Sequence, residues 1–231
     1  MRRRDTNKIL LITLIVLILI TASLIIISAL NSSNNLTDGE EDIDVEEELR
    51  YDNGEVSYYN YYDNGSLDID VSKYVNLPEN YLEYRITSDG QEEINVILDK
   101  IVENSEVEIP TTLLNGYYGD IYNNAKAGAE LEGKTLDEYI KGIYGYDSYQ
   151  KYVEANTKYF EEDIKEDLVY QALAKQFNIY ITKSDVENYF SERLENGNTY
   201  ESLIKLYGEK LMYKYTMQDK IEKALIQRLS R

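Results

Sequence analysis

The chain has 231 residues, 43 of them acidic and 24 basic, with no cysteine and no histidine, for a formal net charge of −19. That balance argues against nucleic acid as a partner, because a polyanion is held by Lys and Arg. The missing residues exclude disulfides, thiolate metal sites, a lipoprotein anchor, a cysteine nucleophile and the commonest general base.

Residues Ile9 to Leu30 form 22 uncharged positions dominated by Ile and Leu, a length that spans a bilayer core as a helix. The stretch is longer than the apolar region of a cleaved signal peptide, and Ser28-Ala29-Leu30 makes a poor cleavage site. We therefore expect a single transmembrane signal anchor at 9–30, with the lipid bilayer as its partner. Arg2, Arg3 and Arg4 hold residues 1–8 as a cytoplasmic tail by the positive-inside rule, which puts everything after Leu30 outside the cytoplasm, at the cell membrane.

Residues 31–70 carry 13 acids against Arg50 alone. Low apolar content and self-repulsion predict an extended, acidic extracytoplasmic linker over this range. No run in it has the ligand and glycine spacing of a calcium loop. Within it Tyr51-Asp52-Asn53-Gly54 recurs as Tyr62-Asp63-Asn64-Gly65, and Asn-Gly favours a tight hairpin turn. Val56–Tyr62 and Leu67–Val71 are expected to pair across the second turn as a small hairpin, its tyrosines packed on the neighbouring domain.

Residues 71–104 read as a connector and a first helix. Ser88-Asp89-Gly90-Gln91 has capping-box spacing ahead of a helix at 91–104, with Ile94, Ile97, Leu98, Ile101 and Val102 on one face. Pro110 suits the first turn of a second helix, in which Leu113, Leu114, Tyr117, Tyr118, Ile121, Tyr122 and Ala125 form a stripe running on to Leu131. Thr135-Leu136-Asp137-Glu138 opens a short helix through Ile143 that Gly145 ends. A long helix follows over 148–177, with Tyr149, Val153, Phe160, Ile164, Leu168, Ala172 and Leu173 in its stripe. Thr182-Lys183-Ser184-Asp185 caps a helix over 183–195, Thr199 begins one to Tyr207, and Gly208 separates a last helix at 209–229. Phosphate loops, a nucleophile elbow and metal-ligand pairs are absent from the sequence, so no catalytic residue, metal or cofactor is expected. The carboxylate pairs Glu161/Asp163 and Glu106/Glu108 read as solvated faces.

Several segments, in order, carry a resemblance. They are Asn104-Ser105-Glu106-Val107-Glu108-Ile109-Pro110, then Gly133-Lys134-Thr135-Leu136-Asp137-Glu138-Tyr139-Ile140. Phe160 to Phe177 follows, running into Asn178-Ile179-Tyr180-Ile181-Thr182-Lys183-Ser184-Asp185-Val186, and lastly Leu206-Tyr207-Gly208-Glu209-Lys210-Leu211. Together they resemble the C-terminal chaperone domain of trigger factor, whose helical core is similar to that of SurA-type chaperones. A fainter similarity, Asp70-Val71-Ser72-Lys73-Tyr74-Val75-Asn76-Leu77, looks like the start of that family's prolyl-isomerase domain. Only about 30 residues separate Leu77 from Asn104, far too few for the isomerase barrel, and the ribosome-docking loop has no counterpart.

The resemblance implies a mainly α protein whose multi-helix domain, at 105–231, projects arms. It implies ATP-independent binding of unfolded or exported polypeptides, with neither enzymatic activity nor the ribosome as a partner. The client-binding residues it points to are Leu113, Tyr117, Tyr118, Ile121, Tyr122, Tyr139, Tyr144 and Tyr146. The competing reading is a membrane-anchored adaptor for one defined cell-envelope or secretion partner.

Overall fold

The structure, a computed structural model, describes residues 54, 57–63, 65–86, 90–191 and 199–230. The expected tail, signal anchor and most of the acidic linker lie outside them. Among the described residues no helix is long and apolar enough to cross a membrane.

The described chain is mainly helical. Helix α1 spans Gly90–Asn104, α2 Thr111–Leu131, α3 Leu136–Tyr144, α4 Tyr149–Phe177, α5 Lys183–Ser191, α6 Tyr200–Tyr207 and α7 Glu209–Leu229. Their starts follow local chemistry. The Thr135 hydroxyl accepts from the Glu138 amide while the Glu138 carboxylate accepts from the Thr135 amide, so two orphan donors are satisfied reciprocally. Thr182 and Asp185 form the same box ahead of α5, as do Thr199 and Ser202 ahead of α6. Ser148 caps α4 by accepting from the Lys151 amide. Asn178, at φ 53°, stops α4 in the left-handed region that asparagine tolerates. Pro110 does not enter the first turn of α2. It stands at the N-cap with ψ 134°, still extended, shortly after the strand Glu106–Val107.

Among the described residues, four two-residue strands accompany the helices. β1 (Tyr62–Asp63) pairs antiparallel with β2 (Ser66–Leu67), Tyr62 opposite Leu67, and the two-residue turn ends on Gly65 at φ 84°, as the Asn-Gly motif requires. The expected longer hairpin is not formed. Tyr58–Tyr61 wind into a 3-10 turn, because the Asp120 carboxylate accepts from the Tyr58 amide and so takes a backbone donor that a ladder would have used. β3 (Val75–Asn76) pairs with β4 (Glu106–Val107), tying the connector to the chain between α1 and α2.

Two cores result. The main one gathers α1, the start of α2, the C-terminal half of α4 and α5 to α7 around Ile94, Ile101, Leu113, Ile164, Leu168, Leu173, Met212, Ile221 and Leu225. The second is made of α2, α3 and the N-terminal half of α4 around Tyr118, Ala125, Ala129, Ile140, Val153 and Phe160. Helix α4 passes from one to the other, and from Ile164 to Tyr149 it extends about 22 Å beyond the main core. This is the expected arm. One arm has its own core; α5 and α6 instead contribute Val186, Phe190 and Leu203 to the main core.

The linker boundary drawn at residue 70 runs through this core. Tyr58 and Tyr62 are 2% and 3% exposed, and Leu67, Val71, Val75 and Tyr81 are buried with them. Acidity marked the segment as a spacer, whereas Tyr58 and Tyr62 meet the expectation that its tyrosines pack on the neighbouring domain and supply the apolar area that holds it down.

Candidate functional site

The eight residues put forward from the sequence divide by depth. Leu113 and Tyr118 are fully buried and Tyr139 nearly so, so in this conformation they build the cores. Tyr118 meets Phe160 edge-on at 6.0 Å. The tip of Tyr139 lies over Gly128, where a Cβ would come within 2.5 Å of its hydroxyl oxygen. Tyr117, Ile121, Tyr122, Tyr144 and Tyr146 are half-buried around the arm core.

These half-buried groups belong to a continuous aromatic row. Tyr58 packs edge-on to Tyr117 at 5.6 Å, Tyr117 lies tilted against Phe160 at 5.8 Å, Phe160 is edge-on to Tyr152 at 6.0 Å, and Tyr152 stacks on Tyr144 at 4.6 Å with Tyr146 edge-on at 5.6 Å. Tyr122 lies edge-on to Tyr149 at 5.4 Å on the other side. Tyr159, 42% exposed, flanks the row, and Leu131 and Ile143 are exposed near the ends of α2 and α3.

Burial raises the phenol pKa values of Tyr117, Tyr144, Tyr152 and Tyr159, so the row is neutral at physiological pH. Its polar tips are sparse: Tyr117 donates to Asp163 at 2.7 Å, and burial in turn raises the Asp163 carboxyl. A row of this kind offers contact area and occasional hydrogen bonds to an apolar segment. It offers no nucleophile–base pair, and among the described residues no group of carboxylates is placed to hold a metal.

Sequence reasoning missed Tyr152 and Tyr159. They sit one position before Val153 and Phe160 on α4, beside the stripe rather than in it. Their seven-residue spacing is the signal that could have found them. It also missed Tyr58, whose partners are remote in sequence.

At the base of the row lies a buried polar cluster. The Asp167 carboxylate Oδ2 accepts from the Tyr58 hydroxyl at 2.7 Å, from the Tyr62 hydroxyl, and from the Lys214 ammonium at 2.8 Å. Burial works against the Lys214 charge, yet Asp167 overrides it and holds that pKa above its ordinary value. Burial lifts the carboxyl of nearby Asp120 to about 6 against the pull of its hydrogen bonds from Ser57, Tyr58 and Tyr59.

The family pattern described as the bacterial trigger factor protein C-terminus matches residues 85–230. The trigger factor of Halothermothrix orenii is 30% identical over 111 residues, which are 48% of this chain and 25% of that protein. The chain thus covers a quarter of that relative's length. No solved structure matches the chain. The match takes in α1 through α7, with the arm and its core and the helical part of the main core, and the chain belongs to the family of the bacterial trigger factor C-terminus.

Proposed function

We propose that the protein is a membrane-anchored, ATP-independent chaperone that holds unfolded or newly exported polypeptides on the outer side of the membrane. The observation that carries this reading is the arm of a chaperone family member presenting a neutral aromatic row, half-buried and continuous from Tyr117 to Tyr144. A non-native chain exposes apolar side chains, and tyrosines cover them with large contact area and little loss of rotamer freedom. Each contact is worth roughly 25 cal/mol per Å² of apolar surface, so many weak contacts bind without strict sequence choice. Ile121, Tyr122, Tyr144 and Tyr146 are the contact residues from the original eight, with Tyr152 and Tyr159 added. The overall charge of −19 favours clients with basic segments.

The anchor is residues 9–30, with the acidic linker giving reach. Between Leu77 and Asn104 the described residues include a 3-10 turn at Tyr81–Glu83 and α1, which supports a reading without prolyl-isomerase activity. The ribosome has no role in this reading.

The test is suppression of aggregation of several unrelated denatured proteins by the full chain in detergent micelles. Broad suppression near stoichiometry is expected, and Tyr144→Ser with Tyr152→Ser should weaken it several-fold. Activity toward none of them, with a single tight partner recovered, would replace the chaperone by an adaptor. Acceleration of prolyl cis–trans exchange would overturn the non-enzymatic reading.

A further inference from the structure

Residues 57–62 lie across α2, α4 and α7 as a bound peptide does. Their backbone is held by side chains. Asp120 accepts from the Tyr58 amide at 3.0 Å, and Lys210 donates to the Tyr59 carbonyl at 2.8 Å. Just upstream, Asn123 donates to the Gly54 carbonyl at 2.7 Å. Any peptide in such a turn offers these groups. Two phenols are then read specifically, because the single Asp167 oxygen accepts from both hydroxyls while the Lys214 ammonium stands 5.8 Å from each ring. The floor is Gly116, where a Cβ would fall 2.9 Å from the Tyr58 nitrogen and Cα.

Every receiving group belongs to a helix inside the family match at 85–230, and the occupant precedes it. The contact is also of an exchangeable kind. A buried ammonium–carboxylate pair gains little net energy over water, and Asp167 Oδ1 makes no hydrogen bond among the described residues. The chain that follows has its own hold. Gln171 donates to the Gly65 carbonyl and accepts from the Leu67 amide, and Val71, Val75 and Tyr81 are buried, so the chain from Gly65 onward keeps its own anchors when 57–62 depart.

We propose that this groove recognises tyrosine-bearing peptide segments that can wind into a 3-10 turn and that residues 57–62 occupy it in cis as a releasable strap, which a client must displace to reach the Tyr117 end of the aromatic row. The inference rests on the chaperone reading for the identity of the competing segment.

The test uses the full chain in detergent micelles carrying Gly54→Cys and Asn123→Cys. The natural chain has no cysteine, and a Cβ built at 54 lies 2.8 Å from Asn123 Cγ, close enough for a disulfide to lock the strap. The probe is a fluorescent peptide with the sequence of residues 54–63, and a second version with Phe in place of the tyrosines matching 58 and 62. The reduced protein should bind the first peptide at least tenfold tighter than the oxidised protein, and tighter than it binds the Phe version. A companion variant, Tyr58→Phe with Tyr62→Phe, keeps the groove and loosens the strap, and should bind the tyrosine peptide more tightly than the natural chain. Equal binding in both redox states, or indifference to the hydroxyls, overturns the proposal. Aggregation suppression is measured on the same samples. Equal suppression by both redox forms removes the gating role and leaves the chaperone reading intact. Suppression by neither removes the chaperone reading, while the peptide titrations still decide whether the groove takes tyrosine segments.

Discussion

Asp167 on α4 and Lys214 on α7 meet at 2.8 Å, with 3% and 18% of their side chains exposed, beneath the rings of Tyr58 and Tyr62. One carboxylate oxygen thereby joins three segments that are far apart in sequence. The long helix that carries the arm, the last helix and the N-terminal strap all depend on it.

Removing one partner of such a pair leaves a charge uncompensated in a low-dielectric site. Asp167→Asn should lower unfolding free energy by about 3 kcal/mol, read as the shift of a urea midpoint. Replacing both members together, Asp167→Leu with Lys214→Met, should recover much of the loss, because apolar groups of similar volume are tolerated where the pair stood. An unchanged midpoint in Asp167→Asn would show that the cluster is not coupled to folding.

Asp120 sets a pH dependence. Its folded pKa of about 6 lies above its ordinary value of 3.8, so between these limits the native state keeps a proton that the unfolded chain has released. The contribution favours folding below the ordinary value and is lost as pH rises through 6. Asp120→Asn keeps an acceptor for the Tyr58 amide and should flatten stability between pH 4 and 6, raising it at pH 7.5 by up to about 3 kcal/mol. Asp185 acts in another window. Its partial burial is outweighed by Lys220 and Thr182, which hold it at about 2, so its stabilisation is present above the ordinary carboxylate pKa and is lost as pH falls towards 2. Denaturant midpoints across pH 2 to 8 separate the two, and a flat profile around pH 5 in the natural chain would refute the first.

Gly116→Ala sets two effects against each other. Alanine in a helix interior is worth about 1 kcal/mol over glycine, yet the new methyl would stand 2.9 Å from backbone atoms of Tyr58, which cannot rotate away. The contact should win, with net destabilisation of about 1 kcal/mol and faster hydrogen exchange at the Tyr58 amide. A stabilised variant with that amide still protected would contradict the observed approach.

The arm should open independently of the main core. Thr135→Ala removes the capping box of α3, a loss of about 1 kcal/mol, and α3 packs only in the arm core. Hydrogen exchange should quicken over Leu136–Tyr144 while the α7 amides stay as they were. Quickening spread evenly over both cores would mean that they unfold as one.

The helices were legible because their determinants are local. Thr135, Thr182 and Thr199 cap helices within a residue of where their hydroxyls predicted, and Gly208 separates the last two as expected. The candidate face was read only in part. Tyr122 looks the same in a helical stripe as Tyr118, and whether one is buried depends on which helix crosses it. The hairpin was overextended because Asp120, 62 residues away from Tyr58, competes for its amide, and local pattern carries no trace of such a partner.

Sequence by itself determined the helix positions, the caps, the family resemblance and the extreme acidity, since each is fixed by neighbours within a few turns or by composition. Tertiary structure alone decided which tyrosines form the two cores, and which helix residues receive the tyrosines of the acidic segment. Burial and pairing across 50 to 150 residues are set by how α2, α4 and α7 converge, and no local periodicity encodes that convergence.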